Sequence, residues 1–236
     1  MTTVATQDGQ MELYEAGDPA TASRAIVVIQ EAFGLTDHIC RCVDRIAAEG
    51  YVAVAPALFH RDGAPVLAYD DLEHVMPLMG ALSEQGIRMD LDATVGYLAS
   101  LGFDRASTGI VGFCMGGTVA FRAGTTGMFG AAVTFYGGGV TAGRFGYPPL
   151  LELASDLDTP WLGCYGDLDK GIPVEEVEAL RAAVQTATPA TELVRYASAE
   201  HGFNCEDRPA VYNEVAAADA WARMLAFFDV HLRARP

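Results

Sequence analysis

Ile110-Val111-Gly112-Phe113-Cys114-Met115-Gly116-Gly117 joins an apolar, β-branched run to a stretch of helical pattern through glycines that flank a cysteine. Thr108–Gly112 reads as a strand and Gly116–Ala123 as a helix, so the Gly-x-Cys-x-Gly sequence lies on the turn between them. A turn this sharp holds its central residue in a strained backbone conformation, and side chains at the flanking positions would collide with strand and helix. This is the pattern of a nucleophile elbow with sulfur in place of oxygen. The helix that follows directs its N-terminus at Cys114, which favours thiolate, and offers the backbone N–H of Met115 to a developing oxyanion. Taken alone, the same eight residues fit a tight strand-to-helix passage around an inert buried thiol equally well.

Outward from this turn the chain alternates short β-branched runs with longer helical patterns, which predicts a mostly parallel sheet with helices on both faces. A hairpin around Asp8-Gly9 starts the sheet antiparallel. Strands follow at Ala25–Gln30, Tyr51–Ala55 (stopped by Pro56), Thr108–Gly112, Ala131–Tyr136, Trp161–Tyr165 and Leu193–Tyr196. Helices are predicted at His38–Glu49, Asp90–Leu101, Gly116–Ala123, Val174–Ala187 and Val211–Leu232. Residues 57–88 read as the least regular part, with Asp70-Asp71 and Pro77 breaking any long period. No repeat, low-complexity segment or linker divides the 236 residues, and one α/β domain over 1–236 is expected.

Half of the chain is apolar, enough for a large core, and its formal net charge is −16. That charge disfavours nucleic acid and anionic membrane surfaces as partners. The N-terminal residues lack a basic and an apolar leader region, and no apolar run approaches the ~18 residues a membrane span needs, so a cytoplasmic location is expected. The five cysteines, Cys40, Cys42, Cys114, Cys164 and Cys205, contain no Cys-x-x-Cys pair. Cys40 and Cys42 fall in a predicted helix, where neighbours two apart point to different sides, so reduced thiols are expected rather than a zinc site or a disulfide framework.

Chain order adds weight to the elbow. Where such a turn carries a nucleophile, an acid follows from a loop beyond a later strand and a histidine from a loop beyond the last strand. Asp167 and Asp169 stand in Gly166-Asp167-Leu168-Asp169-Lys170-Gly171-Ile172-Pro173, and His201 stands in Glu200-His201-Gly202-Phe203. The aspartates also suit plain turn chemistry beside glycine, and the remaining histidines, His38, His60, His74 and His231, lack this placement.

Over nearly its whole length the chain resembles the dienelactone hydrolase (carboxymethylenebutenolidase) family of α/β-hydrolases. The likeness is carried by Gln30-Glu31-Ala32-Phe33-Gly34, Gly112-Phe113-Cys114-Met115-Gly116-Gly117, Asp169-x-x-Ile172-Pro173 and His201-Gly202-Phe203. It implies an α/β-hydrolase fold with a mostly parallel sheet of about eight strands and helices on both faces. It also selects Asp169, four residues before Pro173, over Asp167, and gives Glu31 the task of helping Cys114 to ionise when substrate arrives. Opening of a small lactone or ester through an acyl-enzyme on Cys114 is the implied activity, with His201 and Asp169 completing the set and Met115 and Ala32 donating N–H groups to the oxyanion. Phe33, Tyr136, Phe203 and Arg208 are the expected substrate contacts. No metal or organic cofactor is needed, and a monomer is the default, with a dimer open.

One departure bears on the substrate. Characterised members hold a substrate carboxylate with arginines, one of them four residues after the histidine, where this chain has Cys205. Arg208, Arg61 and Arg88 are the substitutes within reach of sequence reading. The same residues would serve a broad short-chain esterase or a lactonase for a neutral ring. Readings of another class are a non-catalytic module that binds a ligand or senses oxidation through Cys114, and a thiol oxidoreductase drawing on Cys164 or Cys205.

Overall fold

The computed structural model describes residues 1–235. Thr2–Thr6 (β1) and Gly9–Ala16 (β2) form the antiparallel hairpin, with Thr2 opposite Leu13 and Thr6 opposite Gly9. Ala25–Ile29 (β3), Val52–Pro56 (β4), Thr108–Phe113 (β5), Ala131–Phe135 (β6) and Trp161–Gly166 (β7) are buried at every residue. Unbroken apolar runs lie this way when both faces of a sheet are covered. Thr191–Tyr196 (β8) is half-exposed at the edge. The order across the sheet is β1-β2-β4-β3-β5-β6-β7-β8, parallel from β4 onward.

The helices are Asp37–Ala48 (α1), Leu72–Ala81 (α2), Glu84–Ser100 (α3), Met115–Ala123 (α4), Leu150–Leu153 (α5), Val174–Val184 (α6) and Glu214–His231 (α7). One core holds Ile39, Val43 and Ile46 of α1 and Ala220, Met224 and Phe228 of α7 against Ile26, Val28, Val111 and Val133. The other packs Ile87, Leu91 and Leu98 of α3, Val119 and Phe121 of α4, and Val177 and Leu180 of α6 against Val27, Ile29 and Ile110. Among the described residues, no helix is long and apolar enough to cross a membrane.

Residues 57–88 are more regular than expected. Asp71 accepts the N–H of His74 and so caps α2, and Pro77 sits inside that helix. Its missing N–H removes one bond to the first turn of a surface helix in which only Val75 is buried. Helix α3 begins at Glu84, not Asp90, because Ser83 is the cap, accepting the N–H of Gly86. Asp90 is fully buried within α3 and pairs with His60 and Arg61. At the other end of the chain, Asn213 accepts the N–H of Ala216 and delays α7 until Glu214.

At the turn between β5 and α4, Cys114 has φ 55° and ψ −115°, a conformation L residues rarely adopt. A Cβ on Gly112 would strike the carbonyl oxygen of Gly116, and one on Gly116 would strike the carbonyl oxygens of Ile29 and Gln30 at the end of β3. Glycine at these two positions lets the start of α4 touch both adjacent strands. Gly116→Ala is therefore expected to destabilise the fold by about 3 kcal/mol, because only backbone could give way, and the loss reads out as a lower Tm.

Candidate active site

Four segments converge where the parallel strands end. The loop after β3 brings Glu31, the turn after β5 brings Cys114, the loop after β7 brings Asp169, and the loop after β8 brings His201. Asp169 is anchored before it meets anything else: its Oδ1 accepts N–H groups from Gly171 (2.8 Å) and Ile172 (3.1 Å). The other oxygen, Oδ2, lies 2.6 Å from His201 Nδ1. Asp167 instead pairs with Arg195 at 2.7 and 2.8 Å and takes no part.

His201 also faces Cys114. Burial works to lower its pKa, but the Cys114 sulfur and the Asp169 hydrogen bond outweigh this and push it up to about 10. Cys114 is half-buried and stands at the N-cap of α4, where the first N–H groups have no acceptor within the helix.

Glu31 is fully buried. One carboxylate oxygen accepts the Tyr136 hydroxyl at 3.3 Å, and the other has no hydrogen-bond partner. Burial raises its pKa above the ordinary carboxylate value, although the charges of Arg208 and His201 act against that. Gln30 fixes the loop from below, since its side-chain oxygen accepts the N–H of Leu58 at 3.2 Å.

A cavity of about 390 Å³ opens over these groups, lined by Cys114, Asp169, His201, Arg208, Arg144 and Lys170 among others. Of the expected substrate contacts, only Arg208 lines it. Phe33, Tyr136 and Phe203 are buried behind it: Phe33 packs edge-on to Tyr69, and Phe203 packs against Phe135, Tyr136 and Tyr196. Arg208 lies 5.8 Å from the Phe33 ring and 5.7 Å from that of Tyr69. Arg61 and Arg88 are elsewhere, because carboxylates nearer to them compete successfully. Arg61 is held by Asp8 and Asp90, and Arg88 by Asp92 one turn along α3.

Arg144 and Lys170 were missed in the sequence. Arg144 stands in the long glycine-rich loop after β6, with its guanidinium against Gly138. Nothing in the order of residues ties it to the cleft. Neither Arg144 nor Arg208 has a side-chain hydrogen bond or ion pair among the described residues, whereas most other arginines do.

A mostly parallel eight-stranded sheet with helices on both faces and a strained residue between β5 and α4 defines an α/β-hydrolase-fold enzyme. The model of the dienelactone hydrolase family matches residues 11–232, and the chain belongs to that family, a family of ester and lactone hydrolases. Two curated relatives carry the provisional name carboxymethylenebutenolidase. The one from Salmonella typhimurium is 35% identical over 97% of this chain and 86% of its own length. The one from Synechocystis is 32% identical over 99% and 97%. The crystal structure of a protein from Klebsiella pneumoniae, provisionally described as a dienelactone hydrolase, superposes with a TM-score of 0.89 at 34% identity, covering 97% of this chain and 96% of that one.

Proposed function

We propose that the protein hydrolyses a small lactone or ester bearing a carboxylate, with Cys114 as nucleophile, His201 as proton carrier, Asp169 as its positioning partner and Glu31 as the group that ionises the thiol. The observation that carries this reading is the convergence of Cys114, His201 and the twice-anchored Asp169 on one cavity. A binding module has no use for a strained cysteine faced by an oriented imidazole.

Glu31, whose affinity for a proton is raised by burial, takes the proton of Cys114 as substrate arrives. The sulfur attacks the carbonyl carbon, and the N–H groups of Met115 and Ala32 receive the negative charge on oxygen. Collapse breaks the ring C–O bond and leaves a thioester. His201, whose pKa is pushed up to about 10 when the sulfur beside it is ionised, gives its proton to the departing oxygen once that sulfur has entered the thioester. Now neutral, it takes a proton from the water that cleaves the thioester, with Asp169 holding its Nδ1–H throughout, and the released Cys114 thiolate recovers its proton from Glu31.

Arg208 and Arg144, unpaired at the same cavity, are suited to a carboxylate on the substrate. They stand in for the arginine that Cys205 replaces. Charge-assisted contacts of this type are worth about 1.5–3 kcal/mol. Arg208→Ala is therefore expected to raise KM for a carboxylated lactone roughly ten- to hundredfold while changing KM for its methyl ester little. Equal effects on both substrates would count against carboxylate recognition. The activity itself is tested with trans- and cis-4-carboxymethylenebut-2-en-4-olide, by loss of dienelactone absorbance in wild type and Cys114→Ala. Turnover in wild type alone is the expected result, and equal rates in both proteins would refute the assignment.

A further inference from the structure

A second cluster of reactive side chains shares Glu31 with the steps above, but its other two members, His38 and Cys205, have no part in them. Glu31, His38 and Cys205 each bring a donor atom to within 4.8 Å of the other two, and all three are buried. They come from the β3 loop, the first turn of α1 and the loop after His201. Cys42, one helical turn along α1, places its sulfur 3.8 Å from His38 Nε2, and Tyr69 shares a 3.4 Å hydrogen bond with the Cys205 sulfur. One oxygen of Glu31 is buried here without any partner, which is costly unless something occupies it.

We propose that Glu31, His38 and Cys205 bind a divalent transition-metal ion of the zinc type, and that an ion held there arrests the hydrolase by keeping Glu31 from Cys114. The donor set is one thiol, one imidazole and one carboxylate, the mixture that selects zinc-like ions over calcium or magnesium. His38 is buried, and its Nε2 has the Cys42 sulfur at 3.8 Å, so the ring nitrogen faces the donor cluster rather than solvent. Charge balances as well: the ion displaces the proton of the Cys205 thiol to solvent, and thiolate and carboxylate together neutralise its two positive charges. Arg208, whose charge acts on Glu31, also lines the catalytic cavity, so cluster and cavity share a neighbour.

The arrest rests on the role proposed for Glu31, but the binding does not, and the two are tested separately. Co²⁺ is titrated into the folded Cys114→Ser protein, where the nucleophile can supply no sulfur. A thiolate-to-cobalt charge-transfer band that saturates near one equivalent is expected. Adding Cys205→Ala should remove it, and adding His38→Gln should weaken Co²⁺ binding by at least about tenfold. The helical circular dichroism of each variant checks that the fold survives. Absence of the band in Cys114→Ser, or its persistence after Cys205→Ala, overturns the site. In the wild type, Zn²⁺ should slow ester hydrolysis at least about tenfold and a chelator should restore it, with Cys205→Ala insensitive. A cobalt band without Zn²⁺ inhibition would leave the site standing and overturn the arrest.

Discussion

Cys114→Ala is expected to lose hydrolysis by a factor on the order of 10⁴ or more while keeping its fold, because among the described residues no other thiol or hydroxyl side chain lines the cavity. What remains would be the slow attack of water on a substrate still held by the arginines and polarised by the N–H groups at the start of α4. The backbone makes a second variant more telling. Cys114 sits at φ 55° and ψ −115°, a region that glycine enters freely and alanine does not. Alanine inherits the strain of the cysteine, so Cys114→Ala should change stability by less than about 1 kcal/mol. Cys114→Gly releases that strain, of order 1–3 kcal/mol, minus the extra flexibility of glycine in the unfolded chain. The glycine variant should therefore be the most stable of the three proteins and as inactive as the alanine variant, read by thermal unfolding beside the absorbance assay. Such a result would mark the turn as a place where stability is given up to present a sulfur atom. A glycine variant no more stable than alanine would mean that the turn is not strained.

The parts of the molecule legible in the sequence are those in which one local pattern leaves a single outcome. AIVVI at 25–29 and TGIVGF at 108–113 are apolar on both sides and can only lie between two layers of helix. The Gly-x-Cys-x-Gly turn is legible for the same reason, since its glycines have a steric purpose visible in the order of residues. Helix α2 was hidden because Pro77 and the Asp70-Asp71 pair are breakers by composition, yet Asp71 works as a cap. The start of α3 was misplaced because Asp90 looks like a cap, and only the positions of His60 and Arg61 show it to be a buried ion partner. Arginines were the hardest to place. Arg61, Arg88 and Arg208 are alike in sequence, and what separates them is whether a carboxylate lies nearby in space. The same holds for Cys42: beside Cys40 it suggests nothing, while in the fold its neighbour is His38, one turn away on the same face of α1.

Glu31→Gln separates the two consequences of burying a carboxylate. Without a group to take the thiol proton, acylation should slow by roughly 10²–10⁴-fold, the usual worth of a positioned base. Deacylation, assigned to His201 and Asp169 in the proposed mechanism, should change little, so stopped-flow traces should lose the rapid build-up of thioester. An unchanged acylation rate would remove Glu31 from the mechanism. Stability should move the other way. Burial holds the Glu31 proton in the folded chain at pH values where the unfolded chain has already released it. Stability is then highest below the unfolded value, about 4.3, and falls as pH rises from there toward the raised folded value. Glutamine is uncharged at every pH and nearly the same shape. The Tm advantage of Glu31→Gln over wild type should be small near pH 4 and grow toward neutrality, by about 2–4 °C for each kcal/mol the buried carboxylate costs. An advantage constant across that range would show that the glutamate carries the same charge in the folded and unfolded chains. Slower acylation together with a pH-dependent gain in Tm would identify the unpartnered oxygen of Glu31 as a feature retained for reactivity at the expense of stability.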